Sequence, residues 1–392
     1  MTTLKDVIGT TLQPGQKPFN WPTRDEAWKY TNVRTRFPES LILETPVAGN
    51  SVPASIAPEI PCYSVVFTDG QLSSPWPEIP HATISALAAD HENSQPEGAI
   101  DELNQKFAKS GYHIRVAKGA VVDRPIIITH RFSNHASAYL VQYRNQITVS
   151  QGASIQIIER YETSAPAFLN SHTHVAVGAQ ARVDIQWHQI SCEQLTAITS
   201  IHADLEQDAL FNAHVFSMSG QLLRNNLTAA LNGSRAHAAL HGLAIAHHQN
   251  HIDNHIAILH NQPNGESHQL FKTVLRDQAT GVFNGRIFVK QDAQKTNAFQ
   301  SSKAILLSEE ATMNSKPQLE IFADDVKCSH GAAIGQVKHN ELFYLKARGI
   351  DEVTAKNMLV YAFAAEVIQT LEQAYWRDAL EQELKAHLHI EW

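Results

Sequence analysis

Cysteine is scarce in this chain. Cys62, Cys192 and Cys328 are three residues among 392, odd in number and far apart, and they make a poor disulfide framework. Basic blocks are missing as well. Lys plus Arg total 31 against 39 Asp plus Glu, a net charge of −8, which leaves no counterion-release footprint for nucleic acid. No run approaches the ~18 apolar residues needed to cross a bilayer. The N-terminal stretch Met1–Gln13 is mixed and polar, without the apolar centre of a signal peptide. These absences predict a reduced, soluble, cytoplasmic protein with neither nucleic acid nor membrane as a partner. No Gly-x-x-x-x-Gly-Lys-Ser/Thr loop is present, so the chain cannot cradle nucleotide phosphates in the P-loop manner. Gly-x-Gly-x-x-Gly, His-Glu-x-x-His, Gly-x-Ser-x-Gly and Cys-x-x-Cys are missing too.

What is present is ordinary in bulk and unusual in one residue type. The apolar fraction is 43%, and a chain of this length buries roughly 75% of its extended surface. Charged residues make up 18%, below the roughly 25% of a typical domain. Histidine is the outlier: there are 22, and eight lie between His237 and His268. Imidazole titrates near neutrality and ligates metals, so the excess has to be weighed.

Three regions follow from the patterning. Residues 1–111 read as a small, mixed, partly helical N-terminal region. Pro14, Pro18, Pro22 and Pro38 punctuate it, Pro46–Pro61 resembles a linker, and Ile100, Leu103 and Phe107 share a helical face before a stop at Gly111. Residues 112–338 switch to a period of two. In Ala181–His188, Ala181, Val183, Ile185 and Trp187 face one way and Arg182, Asp184, Gln186 and His188 the other, as on a half-buried strand. Further strand-like runs fall at Ile126–Thr129, Gln146–Val149, Ile155–Ile158, Arg286–Val289 and Leu319–Ala323, separated by breaks such as Asn232-Gly-Ser and Asn284-Gly. No helical period of useful length intervenes, which argues against alternating βαβ units. A sandwich or barrel and a β-solenoid both remain open, with Ala, Gly, Ser and Asn tilting the reading to the solenoid. About 5 to 11 turns of the usual repeat length would fit, although no fixed period is visible.

Residues 339–392 return to helical spacing. Asn340 is a candidate cap for a short helix closed by Gly349, and Asp351 starts a longer one. Leu359, Phe363, Val367 and Leu371 form one apolar stripe, and Trp376, Leu380, Leu384 and Leu388 a second. The stripes can pack on each other or receive a partner.

Two groupings carry chemistry. His247, His251 and His255 recur every four residues; on a strand successive members stand about 13 Å apart, too far to share one ion, so a polar ladder is favoured over a metal role. Cys328 and His330 lie at i and i+2 of a strand-like segment and so share a face. Thiolate and imidazole suit iron, zinc and iron–sulfur clusters, but two ligands do not close a site that needs four. Val326 on the same face supports instead a buried, inert cysteine. A Cys/His nucleophilic pair lacks any orienting third residue.

The segment around this pair resembles a known family. Ser315-Lys-Pro-Gln-Leu-Glu-Ile-Phe-Ala-Asp-Asp-Val-Lys-Cys-Ser-His-Gly-Ala-Ala-Ile-Gly335 is similar to the signature of the SufB/SufD family of iron–sulfur cluster assembly subunits. The likeness continues through Glu341–Ile350 and, upstream, His268–Leu275, Phe283–Ile287 and Ala293–Thr296. Residues 250–365 carry the strong match, Trp21–Thr31 a looser one, and 40–250 match in texture. Lys327-Cys-Ser-His-Gly331, and the lack of any cysteine between Cys192 and Cys328, favour the D-type branch over the B-type.

The resemblance implies a mainly β chain: a right-handed parallel β-helix flanked by the N-terminal region and the C-terminal helical domain. It implies a non-catalytic scaffold in a SufBCD-type complex, partnered by a SufB-like paralogue and a SufC-like ABC ATPase that docks on the C-terminal helices. A homodimer is one state open to the isolated chain. Cys328 and His330 would face the paralogue where a nascent cluster forms, as iron or cluster ligands, with Asp324 and Asp325 in support. No tightly bound cofactor is implied for the chain alone, only transient iron or a cluster, with a place for flavin in the complex. The competing reading is a β-helix carbohydrate lyase or hydrolase using the His-rich face, for which no acid/base pair emerges.

Overall fold

The computed structural model describes residues 1–12, 18–23, 25–43, 60–87, 98–135, 137–163 and 165–388. Pro14 and nearly all of the Pro46–Pro61 linker lie outside the described residues. Two sheets, of ten and nine strands, run the length of the molecule, and strands alternate between them from Tyr112 onward. In the ten-stranded sheet Arg182 pairs with Leu210 and Leu210 with His237; in the other, Leu222 pairs with His251 and His251 with Thr280. These ladders are parallel. The chain is therefore a parallel β-helix, with eight successive coils marked by the strands from Ile126–Phe132 to Lys327–Gly335. Parallel crossovers wind right-handed in nearly all cases, the hand that the family resemblance implies.

Coil length explains why no period was visible. It ranges from 26 residues, Thr196 to Leu222, to 33, His113 to Gln146. One recurrent corner accommodates the variation. Gln180, Asp208, Arg235, Asn264 and Lys295 all adopt φ of 57–60°, and each donates its N–H to a carbonyl of the next coil. Such left-handed corners are uncommon for non-glycine residues and favour short polar side chains, which fits the Asn and Asp among them.

Two expectations are corrected. Asn284-Gly285 is no break: both residues lie inside the strand Thr280–Val289. A Cβ at Gly285 would fall 2.2 Å from Gln300 Nε2 and 2.6 Å from the Phe283 ring, so the glycine makes room for packed neighbours. The β structure also begins before Tyr112. Tyr63–Thr68 pairs in parallel with Ile126–Phe132, and Ala82–Ala86 pairs antiparallel with Tyr112–Val116, so parts of residues 1–111 extend both sheets. These antiparallel additions, with Gln71–Leu72 at the other sheet, finish the N-terminal end of the coil stack. Their runs are too short to reveal a period of two.

Each outer face is covered in part. The N-terminal region, including α1 (Leu4–Val7) and α2 (Ala99–Phe107), packs Leu4, Phe19, Trp21, Phe37 and Leu103 on Leu140, Ile198 and Leu222 of the nine-stranded sheet. On the ten-stranded sheet lie α4 (Glu352–Ile368) and α5 (Ala374–His387), packing against Phe216, Leu243, Ile245 and Val274, while α3 (His339–Ala347), with no buried residue, packs on α4. Covering explains a departure from simple alternation. Gln186 and His188 are buried although they face outward, because His188 meets Trp376 of α5 at 5.6 Å. Burial pushes that imidazole down to about 3, so it is neutral.

The helical stripes pack on the sheet as well as on each other. Trp376, Leu380, Leu384 and Leu388 are all buried, each contributing roughly 1.5–3 kcal/mol. The buried face of α4 is Val360, Ala364, Val367 and Ile368, one position round from the expected stripe, with Phe363 only half-buried. Asn340 does not cap α3; Lys338 holds that position, without a side-chain hydrogen bond. Asp351 does cap α4, accepting N–H from Val353 and Thr354 at 3.0 Å. Asp351→Ala should lower the midpoint of urea unfolding; an unchanged midpoint would show the cap to be idle.

Candidate functional site: the open end of the coil stack

The C-terminal end of the stack is built differently from the rest. Strands Thr312–Ile321 and Lys327–Gly335 are the last in their sheets, so each leaves one row of backbone groups without a sheet neighbour. In the middle coils most strand residues are buried; in Lys327–Gly335 all but Cys328 are exposed. Large apolar side chains stand at this end, with Phe322 60% and Ile334 48% accessible, and Ile321 beside them. Helices α4 and α5 lie along the sheet face, and no described residue closes over this end as the antiparallel strands do at the other. An exposed apolar patch with free strand edges is the physical form of a docking surface.

Cys328 and His330 sit on this last strand. In register, Cys328 pairs with Ala298 and His330 with Gln300, both buried. Parallel pairing keeps register partners on one side of the sheet, so thiol and imidazole project towards the bore of the coil. Cys328 packs with Ala298, Ile287 and Ala323 and is half-buried, while His330 is exposed. Beneath His330 the bore turns polar: Gln300 is followed in register by Gln269. Burial raises the Cys328 thiol above its ordinary value, opposed by a backbone hydrogen bond involving Ala298. A ligand role therefore requires the incoming metal to displace the thiol proton. Cys192 is a different kind of cysteine, fully enclosed and pushed up to about 12 by burial.

Asp324 and Asp325 form the corner that leads into this strand, and both are exposed. The Asp325 carbonyl accepts the Lys295 N–H at 2.6 Å, the last step of the corner ladder, and its own N–H donates to Gln294 Oε1 at 2.9 Å. The backbone is thus fixed where the two carboxylates begin. Cys328, His330, Asp324 and Asp325 do not supply three ligand atoms within 4.8 Å of one another. Two ligands on one strand face leave a tetrahedral metal site incomplete.

The His-rich stretch distributes its imidazoles. His247 lies in a turn, while His251 and His255 lie on strand His251–His260. His251 Nε2 meets Thr31 Oγ1 at 2.9 Å and His255 Nδ1 meets Arg224 Nη2 at 3.1 Å. Burial holds His255 and His260 at about 4, so both are neutral structural groups. The four-residue spacing joins no common site. Sequence spacing missed a different convergence, His237 with His268, because only strand pairing joins them.

Fold and site define a class: a parallel β-helix partly covered on both flanks, with a thiol and an imidazole at an open end. Residues 131–363 match the family model for the SUF system FeS cluster assembly SufBD core domain. The chain is 30% identical over 383 residues to iron–sulfur cluster assembly protein SufD of Escherichia coli (strain K12), covering 94% of this chain and 88% of that protein. It is 32% identical over 254 residues to a SufBD family protein of Synechocystis, covering 62% and 56%. With protein ABCI7, chloroplastic, of Arabidopsis thaliana it shares 30% over 285 residues, covering 70% and 60%. The chain belongs to the SufB/SufD family, and its field of action is iron–sulfur cluster assembly. Among the described residues no helix is long and apolar enough to cross a membrane.

Proposed function

We propose that this chain is a D-type, non-catalytic scaffold subunit of a SufBCD-type complex, and that its open coil end docks a SufB-like paralogue. The observation that carries the reading is the placement of Cys328 and His330 on the uncapped last strand, beside exposed Phe322 and Ile334. The cluster is cargo here. Two soft ligands come from this chain and the remainder from the paralogue, which completes the four that a cluster or iron requires. Asp324 and Asp325, at the corner of the same edge, would support iron on its way in.

ATP hydrolysis belongs to a separate SufC-like subunit, consistent with the missing P-loop. Phe343, Tyr344 and Val353 are 67%, 58% and 68% accessible on α3 and the start of α4, and they supply an apolar contact for it. The proposal places the complex in the cytoplasm and requires no flavin. The lyase or hydrolase reading loses its support, since His251 and His255 are engaged within the fold.

The test is His330→Ala in the chain co-expressed with its paralogue and ATPase. Cluster yield, read by the visible absorption of the reconstituted complex, should fall about tenfold, the scale of a damaged metal site. Size-exclusion chromatography should show the complex intact. Normal cluster loading would sink the ligand role, and failure to co-purify with a P-loop ATPase would sink the scaffold assignment.

A further inference from the structure

Three side chains converge on the outer face of the ten-stranded sheet, away from the coil end. His237 opens strand His237–Ala246 and lies in register with Glu266, the first residue of strand Glu266–Leu275 on the next coil. His268 follows Glu266 by two residues and so projects from the same face. One ligand atom from each of the three lies within 4.8 Å of the other two. The His268 imidazole is held from two sides: Nε2 stands 2.9 Å from Glu266 Oε1, and the ring stacks on Phe299 at 5.3 Å and 21°. The His237 and His268 rings are 5.9 Å apart. Both histidines are half-buried and Glu266 is exposed, so the set is rigid at its base and open to solvent.

We infer that His237, Glu266 and His268 form a binding site for a divalent first-row transition cation. Two imidazoles and one carboxylate suit ferrous iron, cobalt, nickel or zinc, whereas magnesium and calcium prefer all-oxygen shells. Three protein ligands leave positions for water, the pattern of an exchangeable rather than a closed structural site. The geometry is set by coil stacking. Strands about 4.8 Å apart in an unbroken ladder fix the distance between His237 and Glu266 before any ion arrives. His241, on the same face, instead meets His214 Nε2 at 3.2 Å and stays outside the set. A groove of about 630 Å³ lined by His241, His268, Leu270 and Phe299 gives the cation an approach, and its far end reaches Ser329 and His330. The site is complete within one chain, so it stands whether or not the scaffold reading does.

The experiment is a Co²⁺ titration of the metal-free, full-length chain followed by visible d–d absorption, with a large excess of Mg²⁺ present. One equivalent should bind in the unaltered chain. His237→Ala, His268→Ala and Glu266→Gln should each weaken binding at least about tenfold, since even supporting residues of metal sites cost that much. His248→Ala, which alters an exposed turn histidine, should bind as the unaltered chain does. Circular dichroism identifies any variant that fails to fold, and Glu266→Gln, the smallest change, keeps the test decisive. The inference is overturned if the triad variants keep full affinity, if Mg²⁺ displaces Co²⁺, or if no saturable binding occurs.

Discussion

Asp253→Ala should destabilise the chain by about 3–5 kcal/mol and release its N-terminal region, the scale of breaking a buried ion pair on one side. Asp253 and Arg224 are 1% and 2% accessible on adjacent strands of the nine-stranded sheet, and their side chains form a direct ion pair. The Arg224 guanidinium also donates to Ala27 O at 2.9 Å and to Asn226 Oδ1 at 3.0 Å, and it lies 3.8 Å from the centre of the Trp28 ring. Thr31 donates to Asp253 Oδ2 at 2.6 Å. The pair is therefore the point at which the Trp28–Thr31 segment is fastened to the coils. Removing the carboxylate leaves a buried guanidinium without its counter-charge. Burial already lowers the Arg224 pKa, against the opposing pull of Asp253, so desolvation is the dominant stress there. The expected readouts are a lower urea midpoint and early loss of amide protection in residues 25–36. The double variant Arg224→Met/Asp253→Leu should recover most of the stability, because it removes both charges. An Asp253→Ala chain with unchanged midpoint and protection would show that the fastening lies elsewhere.

The second large effect concerns the bore of the coil. Glu159→Leu should cost about 3–5 kcal/mol as well, since it strands two tyrosine hydroxyls and an imidazole in the core. Glu159 is 1% accessible; it accepts from Tyr112 Oη at 2.6 Å and from Tyr161 Oη at 2.7 Å, with His130 Nε2 at 3.5 Å. Tyr112 belongs to one sheet and Tyr161 to the other, so the carboxylate ties the two sheets together. Burial pushes its pKa up, but His130 and then the two hydroxyls outweigh that push and hold it below the ordinary carboxylate value.

The sign of the pH effect follows. A depressed folded-state pKa adds stability that is complete above the unfolded value, near 4.3, and is lost as pH falls through the folded value. Unfolding midpoints of the unaltered chain should therefore drop below about pH 4. Glu159→Gln should show a flatter acid limb, because its side chain has no proton to gain. Equal acid slopes in the two proteins would remove Glu159 from the account.

Both predictions bear on the proposed role. A scaffold that presents two ligands at a coil end needs the coils beneath to be rigid, and buried polar ties through the bore and onto the flank provide that. The terminal coil lacks such covering, and its exposed edge is where a partner would supply the missing layer.

Much was legible in the sequence because it is local. Alternation in Ala181–His188 marks a strand, Asp351 marks a helix start, and the Trp376–Leu388 stripe marks a face to be buried; each depends on residues within a turn or two of one another. The spacing of Cys328 and His330 was enough to put both on one face of one strand and to show that they are too few to hold a cluster. What neighbours could not reveal was decided by strand pairing across 26 to 33 residues of chain. Coil length drifts, so the repeat had no period to read, and Gly285 looked like a turn although its lack of a side chain serves packing against Phe283 and Gln300. The same pairing sets His237 beside Glu266, scatters His247, His251 and His255, and leaves the strand with Cys328 and His330 as the last one. Sequence determined which side chains share a strand face. Only the stacking of coils decided which faces meet, because a parallel ladder joins residues that the chain itself keeps about thirty positions apart.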